Sequence, residues 1–172
     1  ILSKFDLTSI PPGATITGAT FNIEVDGTRT NQANTVHRME TPWTEGTQDQ
    51  GNCINGATWS APNCTDTWSG GGAFSSADYD GTSYGTIDPS TNGFKSVTIT
   101  GMVDDWVNNG VDNYGLVVLA GGTDNGEAKY NSKEEGNSSR WPYLTVTWSA
   151  TGLGKVGTTR LTATPYLITD SG

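Results

Sequence analysis

Basic side chains are scarce in this chain: nine lysines and arginines stand against eighteen aspartates and glutamates, a formal net charge of −9 at pH 7. Neutralising a row of phosphates takes clustered cations, so nucleic acid is excluded as a partner, and anionic membranes and strongly anionic polysaccharides go with it. No apolar run approaches the ~20 residues that a membrane helix needs, so membrane insertion is not expected. Histidine occurs once, at His37. No G-x-S-x-G stretch frames a serine, so a Ser–His or Cys–His nucleophile has no visible frame. Charged residues make up only 16% of the chain, too few for the polar faces of many helices. No signal peptide precedes Ile1, and the chain reads as processed or excised from something longer.

Cysteine is nearly absent as well. Cys53 and Cys64 sit in the Gly/Asn-rich stretch "GNCINGATWSAPNCTD". Two thiols and one remote histidine do not make a zinc set, so a disulfide closing a short loop in an oxidising compartment is expected. The tripeptides Asn63-Cys64-Thr65 and Asn137-Ser138-Ser139 carry the glycosylation-acceptor pattern and fit surface loops.

What the chain has in quantity is glycine, twenty-three of them, with abundant Ser, Thr and Asn, the composition of short strands joined by turns. In "ATFNIEVD" Ala19, Phe21, Ile23 and Val25 face one way while Thr20, Asn22, Glu24 and Asp26 face the other, the period of a half-buried antiparallel strand. "SVTIT" repeats it with Val97 and Ile99 inward, and "YLTVTW" with Leu144, Val146 and Trp148. "ILSKFDL" sets Ile1, Phe5 and Leu7 on one side, and "YGLVVLAG" is apolar on both parities, which predicts a central strand covered on both faces. Only "GMVDDWVNNG" has helical spacing, through Met102, Val103, Trp106 and Val107, punctuated by Gly101 and Gly110. The expected fold is an all-β antiparallel sandwich, jelly-roll-like, with one short helix and a long loop region over 44–93.

In order along the chain, "SKFDLTSIPPGATITGATFNIEV", "TPWTEGT", "NGATW", "VDDWVNNGVDNYGLVVLA" and "RWPYLTVTW" resemble the landmarks of DNRLRE-type β-sandwich domains of bacterial, archaeal and phage surface proteins. Some members of that family are alginate-binding carbohydrate-binding modules. The resemblance spans about residues 1–148. It implies a jelly-roll-like sandwich, placement outside the cell or on a virion, and binding or display rather than catalysis. It also implies structural roles for Trp43, Trp59 and Trp106, and places Phe5, Ile10 and Pro12 on the opening strand and turn. Such domains usually have a strand or two before the "FDL" strand, whereas segment 151–172 lies beyond their usual end, and Trp141 splits their Arg-Pro pair.

The missing first strand and the surplus tail suggest each other's explanation. A sandwich short of its first strand presents an open row of N–H and C=O groups. In "TTRLTATPYLI" Leu161, Ala163 and Leu167 alternate with polar residues. Residues 1–150 are therefore expected to form the sandwich and 151–172 a tail strand, with Leu161, Ala163, Tyr166, Leu167 and Ile168 filling the gap in the same molecule or in a neighbour. "TGLGK" is the spacer. The leading expectation is a non-catalytic extracellular, cell-surface or virion-surface subunit that self-associates into a fibre, filament or particle.

Glycan contact needs exposed aromatic faces, for which Trp68, Tyr79, Tyr84 and Trp141 are the candidates. With so few cations and no cluster of them on the loops, a neutral polysaccharide fits better than alginate. The first alternative is thus a carbohydrate-binding module of a secreted polysaccharide-active enzyme. A small glycoside hydrolase or lyase comes last, because the many carboxylates (Glu40, Glu45, Asp104 and Asp105 among them) show no readable acid/base pair. No cofactor is expected beyond a structural calcium, for which "DYDGTS" offers Asp78 and Asp80 without the distal glutamate of an EF-hand.

Overall fold

The computed structural model describes residues 1–46, 55–122, 126–150, 155–162 and 164–166, with the backbone alone at 155 and 164–166. Two antiparallel sheets pack face to face. The first is built from β1 (Leu2–Lys4), β3 (Asn34–Arg38), β4 (Gly85–Ile87), β6 (Leu116–Leu119) and β10 (Thr164–Tyr166), in the order β10-β1-β6-β3-β4. The second runs β5-β2-β8-β9, from β2 (Thr15–Gly27), β5 (Gly93–Thr98), β8 (Tyr143–Ala150) and β9 (Lys155–Thr162). The short β7 (Lys129–Tyr130) pairs with the end of β2. One helix, α1 (Thr100–Asn108), lies against β2 at one end of the sandwich.

Alternation decides what lies between the sheets. Phe21, Ile23, Val97, Leu144 and Val146 are buried in one core cluster with Phe5 and Val118. The polar partners on β2, β5 and β8 take the outer face. A register shift against β8 between Ile16 and Gly18 keeps both Ile16 and Ala19 inward despite their odd spacing, the usual effect of a bulge. Helix α1 presses Met102, Val103 and Trp106 into the same core. It begins one residue earlier than glycine punctuation suggests, so Gly101 lies inside its first turn. Thr100 works at that end by accepting the Ala19 N–H on its hydroxyl at 3.0 Å.

The central strand β6 is covered on both sides, as its sequence requires. Leu116 and Val118 join the inter-sheet core, while Val117 joins Leu2, Met39, Ala57, Trp68 and Phe74 in a second cluster. That cluster is made by the long loop between β3 and β4 folding over the outer face of the first sheet. The loop is thus a small core of its own, with Trp68, Phe74 and Tyr79 in edge and stacked ring contacts at 5.1 and 5.6 Å. Cys64 in this loop is disulfide-bonded. The chain's one other cysteine, Cys53, lies outside the described residues.

The end of the chain closes the open edge of its own sandwich. β9 forms a hairpin with β8 over eight register pairs, from Ala150↔Lys155 to Tyr143↔Thr162. After one further residue, β10 pairs with β1 in the other sheet: Leu2↔Tyr166, Ser3↔Pro165 and Lys4↔Thr164. In this structure the row beside the opening strand is therefore filled by residues of the same molecule, one of the two routes that the sequence left open.

Candidate functional site

The C-terminal arm, β9 with β10, is the first candidate. Leu161 packs half-buried against the inter-sheet core of its own chain. Tyr166 is paired with Leu2 through the backbone, and Ala163, Leu167 and Ile168 lie outside the described residues. The two parts of the arm are held unequally. β9 has its eight pairs, and its Gly157 lies under the Trp148 ring, whose Cε2 would stand 2.6 Å from an added Cβ. Cross-strand covering of a glycine by an aromatic ring secures the register of a pair that has no side chain of its own. β10 has three pairs centred on Pro165, which has no N–H to give the ladder. In a Gly157→Ala variant the ring must move, and we expect amide exchange to accelerate along β8 and β9 while α1 and β3 keep their protection.

Four aromatics were expected to offer faces to a sugar, and the structure separates them. Trp68 is 1% exposed and donates its Nε1–H to Thr58 O at 3.0 Å; it is a core residue of the loop and presents no face. Its position among Gly, Ser and Thr gave no sign that a second core would form around it. Tyr79 is half-buried, stacked on Phe74 and edge-on to His37 at 5.0 Å. Tyr84 is half-buried, and burial pushes its phenol pKa up. Trp141, also half-buried, donates to Glu135 O at 2.6 Å and pins the loop that precedes β8. The structure does not bring these four into one site. Trp59, expected to be structural, is 42% exposed and leans on Phe74.

A small cavity of about 200 Å³ lies on the same loop instead, walled by Trp43, Thr44, Pro62, Asn63, Asp66 and Thr67. Trp43 is fixed there by an Nε1–H···O bond to Tyr114 at 2.7 Å, which leaves its ring as a wall. Asn63 donates to Asp66 at 2.7 Å and so shapes the polar side. A second aromatic group stands on the outer face of the second sheet. Phe94, 40% exposed, meets Tyr143 edge-on at 5.5 Å, and the Arg160 guanidinium lies 3.9 Å above the Tyr143 ring. Parity marked both residues: Phe94 falls in step with Ser96 and Thr98, opposite Val97, and Tyr143 with Thr145, opposite Leu144.

Asp78, Asp80 and Asp105 are committed to the fold. Asp78 is fully buried, and its carboxylate accepts from Ser69 N and Thr41 Oγ1 on one oxygen and from Ser75 N and Oγ on the other. Surrounded by donors, it has no lone pair to offer a cation, which removes it as a calcium ligand. Asp80 accepts from Thr82 N at 2.9 Å, the main reason its carboxyl sits below the usual range, with Arg38 adding to the effect. Arg38, with 14% of its side chain exposed, reaches Asp105 at 2.8 Å, Asp80 at 3.1 Å and Glu40 at 3.6 Å, tying α1 to β3 and the loop. Among the described residues no group of three or more His, Cys, Asp or Glu is placed to hold a metal ion. His37 is occupied on both nitrogens, at Nδ1 with Asp80 O at 2.9 Å and at Nε2 with the Thr35 hydroxyl at 3.0 Å.

No family model, no curated protein and no solved structure matches the chain. Among the described residues no helix is long and apolar enough to cross a membrane.

Proposed function

We propose that this chain is a non-catalytic subunit of an extracellular or virion-surface fibre, filament or particle, and that copies join by exchanging the C-terminal arm. The observation that carries the reading is the arm itself, two successive strands, β9 and β10, that supply one edge strand to each sheet of the same sandwich. Whatever docks at the edge of β1 in one molecule fits the same edge in the next. Residues 151–154, Thr-Gly-Leu-Gly in sequence, connect β8 to β9. Separating the β8–β9 hairpin lets β9 pair in a neighbour, and mutual exchange then closes a dimer while head-to-tail exchange leaves an open chain of subunits. β10 is the part released at least cost, for the reasons of length and proline already given. The disulfide at Cys64 suits an oxidising compartment, and the sandwich is the fold implied by the resemblance to DNRLRE-type domains.

The test joins register partners covalently in the Lys4→Cys/Thr164→Cys double variant, oxidised after equilibration at low and high protein concentration. We expect disulfide-linked multimers on a non-reducing gel, increasing with concentration. A monomer band alone at every concentration rejects exchange.

Neutral glycan contact is the second reading, carried by the Trp43-walled cavity, which has an aromatic wall and the Asn63–Asp66 amide–carboxylate pair. Retardation in a gel cast with a neutral polysaccharide, lost in Trp43→Phe and retained in Phe94→Ala, is the expected result. Trp68→Ala is no test, because it removes a core side chain.

A further inference from the structure

Two positions of the chain carry the Asn-x-Ser/Thr pattern, and their side chains are held differently. At Asn137 the carboxamide oxygen accepts from Ser139 N at 3.1 Å and from Ser139 Oγ at 2.8 Å. The backbone donor fixes which end of the amide is oxygen. The NH2 end donates to no acceptor among the described residues. Residues 136–139 are all exposed, and an atom added at Gly136 Cα meets nothing within 4 Å. The turn is nevertheless held at its base, by the Trp141 bond to Glu135 O and by Arg140 on Glu24 at 2.9 Å and Asp26 at 2.5 Å. Asn137 is therefore the exposed tip of an anchored turn.

At Asn63 the oxygen is engaged in the same manner, by Thr65 N, Thr65 Oγ1 and Asp66 N at 3.1, 3.0 and 2.9 Å. Its NH2, however, donates to the Asp66 carboxylate at 2.7 Å. The residue is half-buried, forms a wall of the small cavity, and precedes the disulfide-bonded Cys64, whose φ is 70°. An approaching donor would have to break the Asp66 bond and enter between the cavity walls.

We infer that Asn137 is an acceptor for N-linked glycosylation and that Asn63, in the folded chain, is not. The donor class is a polyprenyl-diphosphate-linked oligosaccharide presented by an oligosaccharyltransferase. The Asn137 Nδ2 forms a bond to the anomeric carbon as the bond from that carbon to the diphosphate oxygen breaks. One Nδ2 proton passes to a base of the transferase, and the polyprenyl diphosphate leaves with the electron pair. In the cell this rests on the secreted placement proposed above; the chemistry of the turn does not.

The test therefore uses purified folded chain, a purified oligosaccharyltransferase and its lipid-linked donor, with intact mass and the tryptic peptide 134–140 as readouts. A synthetic peptide of the same sequence serves as the unstructured reference. The expected result is one glycan per chain, located in peptide 134–140, added at a rate similar to that of the free peptide, and absent from Asn137→Gln. Transfer to the free peptide but not to the folded chain, transfer at Asn63 of the folded chain, or no transfer to either substrate overturns the assignment. Finding the chain unglycosylated in its own host while transfer succeeds in vitro counts against the secreted placement and leaves the acceptor assignment standing.

Discussion

Replacing Gly115 with alanine is expected to cost roughly 2–5 kcal/mol, combining the penalty of a left-handed backbone with that of an overpacked core. Gly115 has φ +83°, and a Cβ on it would overlap Ser3 O and stand 3.0 Å from the Lys4 Cα. Both are backbone atoms of β1, which cannot rotate away as a side chain can. β1 is held on that side by only two register pairs with β6, Leu2↔Val117 and Ser3↔Leu116. Pushing it off the sheet also undoes the mooring of β10. Urea unfolding should show the midpoint falling by a large fraction of the wild-type value with little change in slope. Ser3→Ala, at the residue whose carbonyl oxygen the added Cβ meets, should change little, since the contact is with backbone. A midpoint within a few tenths of a molar of wild type would mean that β1 and β6 separate easily.

The second large effect is expected at Asp78→Ala, a loss of about 2–4 kcal/mol from backbone and hydroxyl donors left without their acceptor. One carboxylate gathers Thr41, Ser69 and Ser75 from separated stretches of the loop. The loop core over the first sheet should loosen while the inter-sheet core survives. Two measurements distinguish this from general unfolding. Trp68 fluorescence should move to the red before the main transition, and proteolytic nicks should fall between residues 58 and 77. Asp78→Asn should recover only part of the loss, because its NH2 end faces donors. Unchanged Trp68 emission in Asp78→Ala would show that the ring stack holds the loop alone.

The sandwich was legible because its long strands obey one period. Phe21, Ile23, Leu144 and Val146 announce their inward face within a few residues, and the both-sided apolar run over Leu116–Leu119 announces a covered strand. The helix was legible from Met102, Val103 and Trp106. The loop core was not, since no periodic pattern surrounds Trp68 or Asp78, and each is held by partners that alternation does not mark, Thr58 for Trp68 and Thr41, Ser69 and Ser75 for Asp78. β4 and β10 are three residues each, too short to show a period, and they exist because β3 and β1 offer them a ladder. The tail's strand character could be read, but not its destination: alternation says which face is buried, never whose sheet provides the neighbour. Phe94 and Tyr143 are legible in parity, each in step with the polar residues of its strand.

The arrangement of strands also sets the order in which the molecule can be finished. β1 takes its partners from residues 116–117 and 164–166, so it leaves the ribosome well before the strands beside which it lies. At ordinary elongation rates of about 5–20 residues per second the wait is roughly 8–30 s. For that interval the outer edge of β1 has no strand beside it. Spontaneous refolding of the whole chain should share the delay and be slow for its size, because closing the largest loop comes at the end rather than the beginning.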